Sequence, residues 1–195
     1  MSKSKDPTTS TPTITTASSS PTAITTLTPI LTLEEARRRL RALGLYGMAA
    51  QAEALLLQPW LAQLLSIEET ERARRSLKGR MDDSRVGVFK PLADFDWNWP
   101  TECDRGLLEE LQSLAFLAEA VNVVLVGPNS IGKSMIAKNL VHQAVLAGYS
   151  ARFTLASDML HDLSTQDSSR TLARRIRRYT TPSLLAIDEI GRAHV

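Results

Sequence analysis

The chain has 195 residues, 43% of them hydrophobic and 23% charged, and a formal net charge of +2. That length holds one domain, or one domain with a small accessory unit, and so small a net charge gives no bulk argument for nucleic-acid binding. A single cysteine, Cys103, excludes an internal disulfide and fits a reducing compartment, while His142, His161 and His194 have no partners at metal-ligand spacing.

Residues 1–31 form a Ser/Thr/Pro-rich tail: the first thirty contain sixteen Ser/Thr and four Pro. Such a segment buries too little apolar surface to offset ordering entropy, so disorder is predicted. At Thr32 the pattern changes. Thr32-Leu-Glu-Glu35 reads as a capping box opening a helix to about Leu43. Met48–Leu57 reads as a second helix, Pro59 as the start of a third, and Ser66-Ile-Glu-Glu69 as another capping box before Thr70–Lys78. Residues 32–80 are therefore predicted to be a helical module. Its basic runs, Arg37-Arg38-Arg39-Leu40-Arg41 and Arg72-Ala-Arg74-Arg75, fit either a solvated face or contact with DNA phosphates. Residues 81–100 read as a linker. Its aromatics, Phe95, Trp97 and Trp99, could stack on bases, but the favoured expectation is that they pin the linker to the next domain. Thr101–Ala118 is predicted helical.

Asn122-Val-Val-Leu-Val126 reads as a buried strand and Ser134–Leu146 as a helix. Between them lie Gly127, Pro128, Asn129, Ser130, Ile131, Gly132, Lys133 and Ser134, a full match to the G-x-x-x-x-G-K-[ST] phosphate-binding pattern. The spacing has a physical reason. Glycines let backbone approach phosphate closely, and the N–H groups of the new helix point at the anion. Lys133 would reach the β- and γ-phosphates of a nucleotide, and the Ser134 hydroxyl would ligate Mg²⁺. Beyond Gly148, Ala151–Leu155 reads as a strand and Ser157 as the cap of a helix through Leu163. A basic helix, Thr171–Tyr179, follows and carries Arg174, Arg175, Arg177 and Arg178. Ser183–Ile187 is a strand ending in Asp188-Glu189, an acidic pair placed as in a Walker B motif. There Asp188 would hold Mg²⁺ (through water) and Glu189 would polarise the attacking water as the catalytic base. Alternating strands and helices predict an α/β fold with a parallel sheet. No apolar run approaches the ~20 residues of a membrane span. The N-terminus has no signal-peptide core, so the expected compartment is the cytoplasm.

From about Leu40 to Glu189 the chain resembles the IstB-like ATP-binding proteins, AAA+ relatives of DnaA and DnaC. The likeness is carried by Leu40-Arg-Ala-Leu-Gly-Leu-Tyr-Gly-Met48, Leu92-Ala-Asp-Phe-Asp-Trp97, Asp104-Arg-Gly-Leu-Leu108 and Asn122–Pro128. Ala147-Gly-Tyr-Ser-Ala-Arg-Phe153 and Leu184–Glu189 complete it. Ile131 and Ser134 stand where the family often has small residues or Thr. The resemblance implies a P-loop NTPase of AAA+ type that binds ATP and Mg²⁺ and forms a homo-oligomer on double-stranded DNA. It implies, too, that the protein stimulates the transposase of its own element. A DnaC-like helicase loader and a non-catalytic DNA- or partner-binding remnant are the alternatives.

The family continues well past Glu189, so residues 101–189 are expected to be a partial AAA+ domain. Residues 190–195, Ile-Gly-Arg-Ala-His-Val, are expected to be non-native. A common sequencing-library adapter, ATCGGAAGAGCACACGTC, translates to this hexapeptide, and a frameshifted element is the competing reading. The implied strand order, 5-1-4-3-2, places a strand between 122–126 and 183–187 that the chain lacks. The expectation is that those two segments do not pair, and that the chain as written is a poor ATPase.

Overall fold

The structure, a computed structural model, describes residues 31–97 and 103–189. Residues 1–30, Trp99 and the hexapeptide 190–195 lie outside the described residues.

Helix α1 (Leu33–Ala42) starts at Thr32, whose hydroxyl accepts the Glu35 N–H at 3.3 Å. The Glu35 carboxylate lies 3.7 Å from Arg38. The helix expected over 48–57 is two shorter ones, α2 (Tyr46–Ala50) and α3 (Ala52–Leu56), separated at Gln51. Next comes α4 (Leu61–Ser84), a single helix of 24 residues. It overturns the second capping box. A helix already running from Leu61 has no orphan N–H groups at Ser66 to cap, and Glu69 is taken by Arg39, which donates to it from Nε and Nη2 at 2.7 Å each. That bidentate pair ties α1 to α4 over a core of Ala36, Leu40, Leu43, Ala49, Ala52, Leu61 and Leu65. Leu40, Leu61 and Leu65 are at most 1% exposed, a degree of burial that stabilises by roughly 1.5–3 kcal/mol per side chain.

The same helix crosses the boundary expected at residue 80. Leu77 and Met81 pack against a second core of Val86, Leu114, Val141, Ala144, Val145, Ala151 and Phe153. The following stretch is pinned, as expected for Phe95 and Trp97. A 3-10 turn (Leu92–Asp94) leads to Phe95, which is buried with Leu108, Ile136 and Leu140 and meets the Trp97 ring at 4.9 Å between centroids. Arg105 stacks 4.8 Å above Trp97. The helix expected over 101–118 divides into α5 (Arg105–Gln112) and α6 (Ala115–Ala118), because buried Leu114 takes a left-handed φ of 62° between them.

Helix α7 (Lys133–Leu146) ends with the Gly148 N–H donating to Val145 O at 3.1 Å and the Tyr149 N–H to Ala144 O at 2.9 Å. This 5→2 and 6→1 pairing reverses the chain sharply. Strand β1 (Ala151–Leu155) follows at once and runs straight into α8 (Ala156–Ser164). The cap position therefore falls on Leu155, and Ser157 sits inside the first turn rather than capping it. A capping box at Ser168 and Thr171 opens α9 (Ser169–Thr180), and the chain then enters β2 (Leu184–Asp188). The strands pair in parallel, from Ala151 opposite Leu184 to Leu155 opposite Asp188.

Segment 122–126 departs from expectation in one respect and agrees in another. It was predicted as a buried strand, yet it forms no ladder among the described residues, and Val124 and Val126 are 78% and 87% exposed. As expected, it does not pair with β2, whose one partner in the sheet is β1. An extended apolar run becomes a strand only when a neighbour supplies its hydrogen bonds and covers its face. Only Leu125 finds cover, against the cluster around Phe95. No helix among the described residues is long and apolar enough to cross a membrane.

Candidate phosphate-binding site

The sequence pattern Gly127–Ser134 lies on an exposed loop that delivers the chain into α7. Gly132 is the residue that caps this helix, with φ 98°, and Gly127 has φ 155°. A side chain at either position would be strained by the backbone. A Cβ on Gly132 would come 2.7 Å from Phe95 Cε2, and one on Gly127 would collide with the Ile131 side chain. Ser130 also takes a left-handed φ, 65°, a conformation of the kind that concentrates at ligand-binding loops.

Lys133 is the first residue of α7, and its ammonium turns back over the loop. It donates to Gly127 O at 2.8 Å and to Pro128 O. The cation is thus held in the concavity of the backbone by carbonyl oxygens, which stand where an anion's oxygens would compete for it. The first intrahelical bond runs from the Ile136 N–H to Gly132 O at 2.9 Å. The preceding N–H groups of the first turn are therefore free for a ligand, and they carry the partial positive charge of the helix end. Ser134 is exposed in that same turn. Together, the free donors of the first turn and Lys133 fit a phosphate group.

Topology brings the acidic pair to the same end. The chain turns from α7 into β1 within four residues and the two pack together, so they run antiparallel. The N-terminus of α7 therefore points toward the C-terminal ends of β1 and its parallel neighbour β2, and Asp188 and Glu189 leave the sheet at that end. Asp188 is half-buried and Glu189 exposed.

Sequence inspection missed the residue that fixes the helix beneath this loop. Asn139 is buried in α7; its Oδ1 accepts the Leu92 N–H at 2.9 Å, and its Nδ2 donates to Lys90 O at 2.9 Å and Met135 O at 2.8 Å. These bonds bring Phe95 against Gly132. The available signal was a lone amide among the apolar positions of a helix, which must find partners if buried.

The basic runs separate into two kinds. Arg37, Arg38 and Arg39 pair with Glu34, Glu35 and Glu69, and Arg72, Arg74 and Arg75 pair with Glu68 and Glu71. Arg41 makes no pair among the described residues. On α9, Arg175 and Arg178 lie 3.4 and 3.9 Å from Asp162, which also accepts the Tyr179 hydroxyl at 2.8 Å. Burial, and then that hydrogen bond to Asp162, push the Tyr179 hydroxyl above its ordinary value.

A glycine-bounded loop capping a helix, beside parallel strands that end in carboxylates, defines a P-loop nucleotide-binding domain of α/β type. The chain belongs to the IstB-like ATP binding protein family, whose model matches residues 31–195. It is 33% identical over 164 residues to a proposed ATP-binding protein in an insertion sequence of Mycobacterium tuberculosis, covering 80% of this chain and 65% of the relative. Two similar relatives are proposed ATP-binding proteins of insertion sequence IS21 from Pseudomonas aeruginosa and of an IS21-like element from Bacteroides fragilis. The first is 31% identical over 76% of this chain and 56% of its own length, the second 34% over 72% and 53%. The chain thus spans 53–65% of the length of these three relatives.

Proposed function

We propose that this chain is the nucleotide-binding part of an AAA+ type ATPase that assists DNA transposition. It would assemble as a homo-oligomer on double-stranded DNA and stimulate the transposase of its own element. One observation carries the nucleotide part: the loop from Gly127 to Ser134 turns on two glycines of positive φ into the start of α7 and holds Lys133 in its concavity. The insertion-sequence context of the relatives supports the transposition part.

In this proposal ATP lays its β- and γ-phosphates in the loop. Lys133 exchanges its carbonyl partners for phosphate oxygens, and the free N–H groups of α7 bind the remaining charge. Mg²⁺, held by the Ser134 hydroxyl and through water by Asp188, would neutralise charge developing on the phosphates. Glu189 would orient and deprotonate the attacking water. In an AAA+ sheet the segment 122–126 would be the strand before the phosphate loop, with a further strand between it and 183–187.

The test uses a chain extended to the relatives' length. Lys133→Ala is expected to abolish ATP binding, and Glu189→Gln to retain binding while stopping hydrolysis. Hydrolysis at the parental rate by Glu189→Gln would withdraw the assignment of the base. The 195-residue chain is expected to hydrolyse ATP no faster than its Lys133→Ala variant.

A further inference from the structure

At the opposite end of the sheet from the phosphate loop lies a concave site of about 460 Å³. It is lined at the start of β1 by Ser150, Ala151 and Arg152, and before β2 by Thr181 and Pro182. Six arginines face it, Arg80 and Arg85 from α4 and its cap, Arg152, and Arg174, Arg177 and Arg178 from α9, against a single carboxylate, Asp83.

Two of these guanidiniums have a structural task. Arg80 Nε donates to Val145 O at the C-terminus of α7, and Arg152 Nη1 to Asp83 O at the C-terminus of α4, both at 3.4 Å. Cations at helix C-termini need no further explanation. The others do. Arg85, Arg174 and Arg177 make no hydrogen bond or ion pair among the described residues. The Arg152 guanidinium lies 5.5 Å over the Tyr179 ring, but its Nε is buried with no hydrogen-bond partner among the described residues, and an orphaned donor of that kind is rare unless something else supplies its acceptor. Burial, then the like charges of Arg178 and Arg85, lower the Arg152 pKa from its ordinary value. Asp162 answers Arg178 at 3.9 Å and Asp83 lies in the lining, so the site still holds more cations than carboxylates. Arg37, Arg38, Arg39, Arg72, Arg74 and Arg75, by contrast, each have a carboxylate partner.

We infer that this arginine-lined concavity is a second phosphate-binding site, for the phosphodiester backbone of nucleic acid. The assignment rests on the DNA-binding part of the proposed function and gives it a place. Guanidinium groups match phosphate oxygens in planar, bidentate geometry. The charge does not stop at the rim. Arg170, Arg174, Arg177 and Arg178 fall at i, i+4, i+7 and i+8 along α9, one face of the helix. They span about 12 Å at 1.5 Å rise per residue, a length over which one duplex strand carries several phosphates at about 3.4 Å of helix axis each. A stripe of that length fits an extended polyanion better than a small one.

The test measures binding of a labelled 30-base-pair duplex to the 195-residue chain by fluorescence anisotropy at several salt concentrations. Arg174→Ser with Arg177→Ser removes two exposed, unpaired guanidiniums, and far-ultraviolet circular dichroism checks that helicity is retained. Each phosphate contact contributes about 0.9 to the slope of log affinity against log salt. The double variant should therefore flatten that slope by nearly two, and Arg174→Lys with Arg177→Lys should restore it. Neutralising Arg37, Arg38 and Arg41 should leave it unchanged.

No DNA binding by the parent chain, or a slope unchanged in the Ser variant, overturns the inference. So does competition by polyglutamate that the Ser variant abolishes while DNA binding persists, which would assign the site to an acidic protein surface. Tripolyphosphate serves as a competitor. If it displaces DNA only at the high concentrations expected of simple ionic screening, the extended-backbone assignment stands. Tight, site-dependent tripolyphosphate binding without DNA binding overturns it. ATP binding through Lys133 is measured on the same samples, so failure at the loop is distinguished from failure here.

Discussion

The helices up to Leu65 complete a core among themselves, whereas the half that carries the phosphate loop leaves apolar chain uncovered. Leu40 and Leu65 have no exposure, while Val124 and Val126 in the run before the loop are 78% and 87% exposed. The helices are amphipathic with one apolar face, whereas the run before the loop is apolar almost throughout. The difference lies in where partners come from. A helix satisfies its own backbone, so a few helices close in sequence can bury a common face. An extended segment satisfies none of its backbone alone and depends on a neighbour brought from elsewhere in the chain or from another chain.

The largest expected effects set these two regions against each other. Leu40→Ala should destabilise the fold by about 2–5 kcal/mol, whereas Val124→Ala should stay within about 0.5 kcal/mol. Thermal unfolding followed by circular dichroism compares them. Equal losses would mean that the run before the loop is covered in solution, and the contrast would collapse.

Next in size is Asn139→Ala, which leaves the Leu92 N–H and the Lys90 and Met135 carbonyls without their amide partner. An unsatisfied buried group costs about 1–3 kcal/mol, so the urea midpoint should fall at constant slope. An unchanged midpoint would show that the linker is not anchored through this side chain.

The smallest effect sharpens the comparison on the helical side. The Arg39 hydrogen bonds, opposed by burial and helped by the same guanidinium's charge, hold Glu69 below its ordinary value of 4.5. A depressed carboxylate contributes stability in full above its unfolded value and loses it as pH falls through the folded one. The Glu69 side chain is still 38% exposed, so solvent screening limits the pair to at most about 1 kcal/mol. The stability difference between the parent and Glu69→Gln should be constant near neutrality and close progressively below pH 4.5. A difference that persists unchanged in acid would remove the Arg39 pair as its source.

Local chemistry was legible wherever the deciding partner lies a few residues away. Thr32 caps the helix it precedes, and the Gly127–Ser134 pattern marks the loop and the start of α7. Alternating Ala151, Phe153 and Leu155 mark a strand whose inward positions are apolar. The errors fall where the partner is distant. Ser66 and Glu69 have the spacing of a capping box, but only the structure places Ser66 inside a helix and Glu69 on an arginine thirty residues earlier. The 122–126 run has a strand's composition and no neighbour. In the sequence Arg152 is one basic residue in an apolar strand, because its company of Arg85, Arg174 and Arg177 is assembled by the fold alone.

The continuity of α4 has a mechanical meaning. Its 24 residues make a rod of about 36 Å, with Leu61 and Leu65 set in one core and Leu77 and Met81 in the other. Two bodies joined by loose tether can turn independently. Two bodies bolted to one rod cannot, unless the rod breaks its own hydrogen bonds. Any load taken up by the N-terminal helices is therefore delivered to α7 and β1, against which the far half of the rod lies, as a tilt or twist of the rod rather than as slack.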